Sequence, residues 1–179
     1  PGIYYNTDAA EKLGKVAFLF PGQGSQYIGM GADWVRTFPN SWRALQAADE
    51  VLQASLSHSI FPAPSFSEDK QEKHKKVLSN TAVAQPALGA ISAGMFDLLG
   101  RFGLRPDAVA GHSYGELVAL YAAGAMTQSD LFALSQERGR LMAQGEQDRG
   151  TMMAVKAPLE EIDQLIKDNN WSVVLANRN

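Results

Sequence analysis

Asp107-Ala108-Val109-Ala110-Gly111-His112-Ser113-Tyr114-Gly115-Glu116 is the stretch on which the fold turns. Asp107 to Gly111 reads as a short buried strand and Glu116 to Ala123 as an apolar helix, so Ser113 falls at a strand-to-helix corner. The glycines of the G-x-S-x-G pattern let the chain reverse sharply. The turn lifts the serine hydroxyl to a helix N-terminus, where backbone N–H groups converge. A glycine-rich turn that merely happens to contain serine is the plain alternative; the strand before and the helix after favour a nucleophile at Ser113.

Upstream, Val16-Ala17-Phe18-Leu19-Phe20 closed by Pro21-Gly22 has the pattern of a strand buried on both faces of a parallel sheet. Helical spacing follows from Gly29 to Phe38 and from Ser41 to Leu56, the second capped by Asn40. Ser57 to Lys76, rich in serine, proline and charge, is expected to be an exposed loop with a polar helical turn around Glu68 to Lys76. Pro86 is placed to open a long buried helix through Leu88, Ile91, Met95, Leu98, Leu99 and Phe102. Another helix is expected from Ser129, as its N-cap, to Gln144. Beyond the polar break at Gly145 to Gly150, Met152 to Val155 and Trp171 to Ala176 read as strands flanking an amphipathic helix from Pro158 to Lys167. Alternation of strands and helices makes the fold class α/β. No internal repeat is present.

With 179 residues, 45% hydrophobic and 20% charged, the chain is long enough for one sizeable core. A net charge of -3 without a basic run argues against nucleic acid as a partner. The absence of cysteine removes disulfides, thiolate metal sites and a cysteine nucleophile, and fits a reducing cytoplasm, the expected location. Val16 to Phe20 and Leu117 to Ala125, the longest apolar stretches, fall short of a bilayer span, and no membrane role is expected.

A serine is a poor nucleophile at neutral pH without an adjacent base, usually histidine. The chain offers His58, His74 and His112. The first two fall in the polar stretch, and the His112 side chain diverges from its neighbour Ser113 on a sharp corner. In elbow-type serine enzymes the histidine follows the nucleophile, and none follows His112. The second glycine-rich loop, Pro21-Gly22-Gln23-Gly24-Ser25-Gln26, can bring backbone N–H groups to a developing oxyanion. It lacks the Gly-Lys-Ser/Thr ending of a phosphate loop and the spacing of a dinucleotide site, so an ordinary turn is the remaining alternative.

Four ordered segments together resemble malonyl-CoA:acyl-carrier-protein transacylases and the acyltransferase domains of polyketide synthases. They are the strand ending in Pro-Gly-Gln-Gly-Ser-Gln, Val83-Ala84-Gln85-Pro86-Ala87-Leu88, Gly-His-Ser-Tyr-Gly-Glu, and Gln136-Glu137-Arg138-Gly139-Arg140-Leu141-Met142. Phe61-Pro62-Ala63-Pro64 and Tyr114 are similar to the acyltransferase domains of polyunsaturated-fatty-acid synthases. The resemblance implies an α/β-hydrolase-like large subdomain with a parallel sheet over residues 15–148, incomplete here. A linker over 1–14 precedes it, and the first half of a small ferredoxin-like subdomain follows over 149–179.

It further implies that Ser113 takes a malonyl group from malonyl-CoA and passes it to the phosphopantetheine thiol of an acyl carrier protein. No cofactor or metal is expected to be bound, and other synthase domains are expected partners. Backbone N–H groups of Gln23 and Tyr114 would form the oxyanion hole. Arg138 would hold the malonyl carboxylate, with Gln85 and His112 lining the pocket and Arg140 solvated. The family's general-base histidine lies well downstream of the nucleophile, so the native protein is expected to be longer than this chain. A serine thioesterase or hydrolase, and a non-catalytic carrier-protein docking fragment, are the alternatives at this level.

Overall fold

Ala17–Phe20 and Ala108–Gly111 form two strands, β1 and β2, paired in parallel from Ala17 with Ala108 to Phe20 with Gly111. The computed structural model describes residues 14–38, 41–143 and 153–176. Parallel neighbours need a crossover, and five helices supply it. They are α1 (Ala32–Thr37), α2 (Trp42–Leu52), α3 (Leu56–Ile60), α4 (Glu68–Ser79) and α5 (Thr81–Arg101). The corner after β2 leads into α6 (Gly115–Ala122) and α7 (Gln128–Ala143); α8 (Leu159–Asp168) lies further on. The chain divides into two compact units, Pro1–Gly145 and Glu146–Asn179.

The core of the first unit gathers α5, α2, α7 and the corner, with Leu45, Ile60, Leu78, Ala87, Leu88, Tyr114, Val118, Leu131 and Phe132 buried in it. Small residues along α5 allow close approach: a Cβ on Gly94 would fall 2.5 Å from the Trp34 ring and 2.9 Å from Ala44. Phe18 and Phe20, two apart and so on one face of β1, meet the Phe96 ring edge-on at 6.2 and 6.3 Å. Leu19 points the other way and is 77% exposed. The expectation of a strand buried on both faces is therefore corrected: among the described residues the sheet has two strands, and one face of β1 is uncovered.

Asn80, not Pro86, opens α5, its Oδ1 accepting the Ala82 N–H at 2.9 Å. Pro86 sits inside the helix, where its missing N–H leaves the Ala82 carbonyl without its usual donor. The buried run is Ala84 to Gly94, whereas Met95 and Phe102 are exposed. At 21 residues α5 is long and apolar enough to span a bilayer by composition, but just over half of its apolar window is buried in this unit. It is the core helix of the fold.

The stretch expected as a loop contains two helices. Leu56 and Ile60, four apart, are both buried on α3, and Asp49 holds its start by accepting from the Ser57 Oγ at 2.6 Å. The polar turn extends into the full α4, whose one buried residue is Leu78.

Thr127 replaces Ser129 as the cap of α7. Thr127 N–H donates to Asp130 Oδ2 at 3.0 Å and Asp130 N–H donates to Thr127 Oγ1 at 3.1 Å, a reciprocal capping box. Those Thr127 hydrogen bonds hold the Asp130 carboxyl below the ordinary value. Thr127→Ala should cost about 1 kcal/mol in denaturant unfolding. The deficit should be full at neutral pH and shrink as pH falls through the carboxylate range, because a depressed folded pKa stabilises only while the group is ionised.

In the second unit α8 forms where expected and ends in a left-handed cap. Asn170 has φ 48°, its N–H bonds Lys167 O, and Trp171 N–H bonds Ile166 O at 3.1 Å. Neither Met153–Val155 nor Trp171–Ala176 is a strand. A strand exists by pairing, and among the described residues no ladder joins these segments; Met153 and Val174 are 81% and 90% exposed. Asn40, the 145–150 break and Met152 lie outside the described residues.

Candidate active site

The corner is shaped by what glycine lacks. A Cβ on Gly111 would strike the backbone of Gly115 and Glu116, and one on Gly115 would strike the Phe20 carbonyl. The chain can therefore fold back tightly only with hydrogen at both positions. His112 N–H extends the ladder to Phe20 O at 3.0 Å, and Gly115 N–H then closes on His112 O at 2.9 Å. Between them Ser113 is forced to φ 53°, the left-handed region that an L-residue other than glycine seldom adopts. Its side chain is exposed at the head of α6.

The Gly22 loop packs directly on this corner: a Cβ on Gly22 would lie 2.5 Å from His112 O and 3.2 Å from His112 Nδ1. The loop is braced from within by Ser25 Oγ, which donates to Gly22 O at 2.8 Å. It is also braced from α5, because the Gln23 amide donates to Thr81 Oγ1 at 3.0 Å and accepts from Gln85 Nε2 at 3.1 Å. Gln85 is fully buried and makes a second contact from Nε2 to Met142 Sδ at 3.3 Å; its Oε1 has no partner among the described residues. Among the described residues the backbone N–H groups of Gln23 and Tyr114 donate to no acceptor. Two free donors on adjoining turns are the raw material of an oxyanion site.

Helix α7 reaches the same region through Gly139, where a Cβ would come within 2.8 Å of Thr81 O. The preceding residue, Arg138, is half-buried, and its guanidinium makes no hydrogen bond or ion pair among the described residues. Arg140 is exposed and tied to Glu137. Arg138 is near enough to Tyr114 for its charge to act on the phenol. Burial pushes that phenol well above its ordinary value, and the Ser135 hydroxyl and the Arg138 charge oppose the rise.

Thus Ser113, Gln23, Tyr114, Gln85, His112 and Arg138 belong to four elements that touch: the corner, the Gly22 loop and the facing turns of α5 and α7. Among the described residues no histidine hydrogen-bonds Ser113; His58 is exposed on α3 and His74 lies on α4. An apolar groove of about 780 Å³ runs along β1 and α5 past Phe18, Leu19, Met30, Ile91 and Met95, and Ser113 is not part of its wall. Among the described residues no three His, Asp or Glu side chains gather as metal ligands. Thr81, Ser135 and Gly89 were missed in the sequence. Only Ser135 left a trace, lying three residues before Arg138 and hence on its helix face.

Residues 17–179 match the acyl transferase domain family. The chain belongs to this family. It is 40% identical over 162 residues to the phenolphthiocerol synthesis polyketide synthase type I Pks15/1 of Mycobacterium marinum, covering 90% of this chain and 7% of that protein. It is 37% identical over 172 residues to the malonyl CoA-acyl carrier protein transacylase of Bacillus subtilis, covering 93% of this chain and 51% of that protein. Among solved structures, a malonyl-transacylase in complex with holo AntF, its type II polyketide synthase acyl-carrier protein, superposes with a TM-score of 0.71 at 29% identity. That match covers 87% of this chain and 48% of the other. The chain thus spans about half the length of these two transacylases. The α/β class with a parallel strand pair agrees with that acyl transferase fold.

Proposed function

We propose that this acyl transferase domain chain carries the nucleophile, oxyanion donors and acyl-carboxylate anchor of an enzyme that moves malonyl groups from malonyl-CoA to an acyl carrier protein. The observation that carries the reading is Ser113 at φ 53°, exposed beside two unengaged backbone N–H groups. Ser113 Oγ attacks the thioester carbonyl while its proton passes to a general base, which we place outside these 179 residues. The N–H groups of Gln23 and Tyr114 receive the oxyanion, each donor being worth roughly 100- to 1,000-fold in rate. Collapse breaks the carbon–sulfur bond and releases CoA; the phosphopantetheine thiol then attacks the serine ester, and Ser113 recovers its proton. Malonyl-CoA and the carrier's phosphopantetheine are substrates, and no resident cofactor enters a step.

The relatives named above support the substrate class, and the complexed transacylase supports a carrier protein as partner. The half-buried, unpaired Arg138 supports recognition of a free carboxylate, with Gln85 and His112 lining the approach. The same reading assigns residues 15–148 to an α/β-hydrolase-like large subdomain, 149–179 to the first half of a ferredoxin-like one, and 1–14 to a linker in a cytoplasmic synthase.

The test is intact mass of the full-length protein after brief exposure to malonyl-CoA or acetyl-CoA, followed by addition of holo carrier protein. One malonyl group should appear and then move to the carrier. Transfer to water alone would instead mark a hydrolase, and no adduct would mark a docking piece. In Arg138→Ala the preference for malonyl over acetyl should erode by roughly ten- to a hundred-fold, the equivalent of a charge-assisted hydrogen bond of about 1.5–3 kcal/mol. An unchanged preference would remove Arg138 from the site.

A further inference from the structure

One buried hydrogen bond ties the corner that holds Ser113 to the helix that holds Arg138. Tyr114 and Ser135 are both fully buried, with the phenolic oxygen 2.6 Å from Ser135 Oγ. Ser135 has a single hydroxyl proton and gives it to Leu131 O at 2.5 Å, so the phenol is the donor of the pair. Room for that phenol comes from Gly89 on α5, where a Cβ would overlap the phenolic oxygen. The large side chains that α6 and α7 otherwise bury in the core, Val118, Leu131 and Phe132, are apolar, and apolar packing resists separation but not sliding. The hydrogen bond is directional and fixes a register that apolar packing leaves loose.

We propose that Tyr114 and Ser135 are a positioning pair. Their bond sets α7 against the corner, hence the spacing between the Ser113 hydroxyl and the Arg138 guanidinium, and so the fit of an acyl group with a terminal carboxylate. This rests on the acyl-transfer reading above. Ser135 precedes Arg138 by three residues on one helix face, so a shift at Ser135 is carried to Arg138 almost undiminished. Misplacement of a reacting group by about 1 Å can cost on the order of 100-fold. A slip at this bond acts on malonyl, which needs both ends held, more than on acetyl, which has nothing for Arg138 to grip.

The experiment compares kcat/KM for malonyl-CoA and acetyl-CoA in full-length wild type, Tyr114→Phe, Ser135→Ala and Arg138→Ala, with Tyr114→Phe also made in the Arg138→Ala background. The malonyl-to-acetyl ratio should fall about tenfold in Tyr114→Phe and in Ser135→Ala. It should fall no further when Tyr114→Phe is added to Arg138→Ala. Gly89→Ala supplies an independent arm. It should depress the ratio in the wild-type background by driving off the phenolic oxygen. It should be harmless with Tyr114→Phe, where the nearest ring carbon is 3.4 Å away, an ordinary contact. A purely structural bond would lower stability and leave the ratio within twofold, which overturns the proposal, as does an equal further loss in the Arg138→Ala background. If wild type forms no acyl-enzyme from either donor, the acyl-transfer reading fails first. If Tyr114→Phe does not fold, Ser135→Ala and Gly89→Ala decide by the same ratio.

Discussion

Ser113→Gly should lose the acyl-enzyme entirely and yet unfold at a higher temperature than its parent. The two effects have separate causes in one residue. In the proposed reading, removing the hydroxyl removes the atom that carries the acyl group, and loss of a serine nucleophile costs on the order of a million-fold in turnover. The backbone at this position sits at φ 53°. That conformation costs an L-residue roughly 1–2 kcal/mol, and glycine adopts it freely. Glycine's greater freedom in the unfolded chain takes back about 0.5–1 kcal/mol, leaving a net gain of about 0.75 kcal/mol at the midpoints of the two ranges. For a chain of this size that is a rise of about 1–4 °C in melting temperature. Ser113→Ala is the control: it loses the adduct equally but keeps the strained backbone, so its melting temperature should stay near the parent's. Intact mass and thermal melts on the three proteins read both effects. A glycine variant no more stable than the alanine one would show that the strain at the corner does not exceed the cost of glycine's freedom in the unfolded chain.

Gly115→Ala should be among the most damaging single methyl additions in the chain. The new Cβ would overlap the Phe20 carbonyl and lie 2.9 Å from the Pro21 oxygen. These are backbone atoms held by the β1–β2 ladder, so no side-chain rotation relieves the clash. Overpacking of well-ordered cores costs about 1–3 kcal/mol where side chains can give. A backbone collision at a sheet end should exceed that, about 3 kcal/mol or more, and push Ser113 off its corner. Denaturant midpoints should show the loss, with acylation falling in parallel in whatever fraction still folds. Gly100→Ala offers the contrast within the same protein. It lies in α5 with nothing within 4 Å of the added methyl, so helix propensity alone should make it neutral or stabilising by up to about 1 kcal/mol.

What could be read from sequence was what local chemistry dictates. The glycines around Ser113 enforce one geometry whatever surrounds them, and the corner formed as the spacing demands. The loop after β1 was legible for the same reason. Pro86 misled because proline at a helix start is a local preference, while the cap at Asn80 and close packing along Ala84 to Gly94 are decided by neighbours distant in sequence. α3 was hidden because Leu56 reads as the end of the preceding helix and Ile60 falls in the polar stretch after it, and two apolar residues four apart are too few to show a period. Trp171 to Ala176 has strand composition, but composition cannot supply the partner that makes a strand. The residues that brace the site, Thr81 under Gln23 and Ser135 under Tyr114, are hydroxyls on helices; nothing in the sequence sets Thr81 apart from a solvent-facing one, and the spacing of Ser135 from Arg138 is the one hint to its face.

The tether on Gln23 also bears on when disorder is lost. A glutamine side chain gives up about 1.5–2 kcal/mol of rotamer freedom when it is fixed, and a loop backbone about 1–2 kcal/mol per residue. Thr81 and Gln85 fix Gln23 in the folded protein before any acyl group arrives. That ordering happens once in the lifetime of the folded chain and not again at each turnover. In the acyl-transfer reading proposed above, the activation entropy is therefore relieved of the loop's contribution, and what remains to be ordered is the acyl group itself.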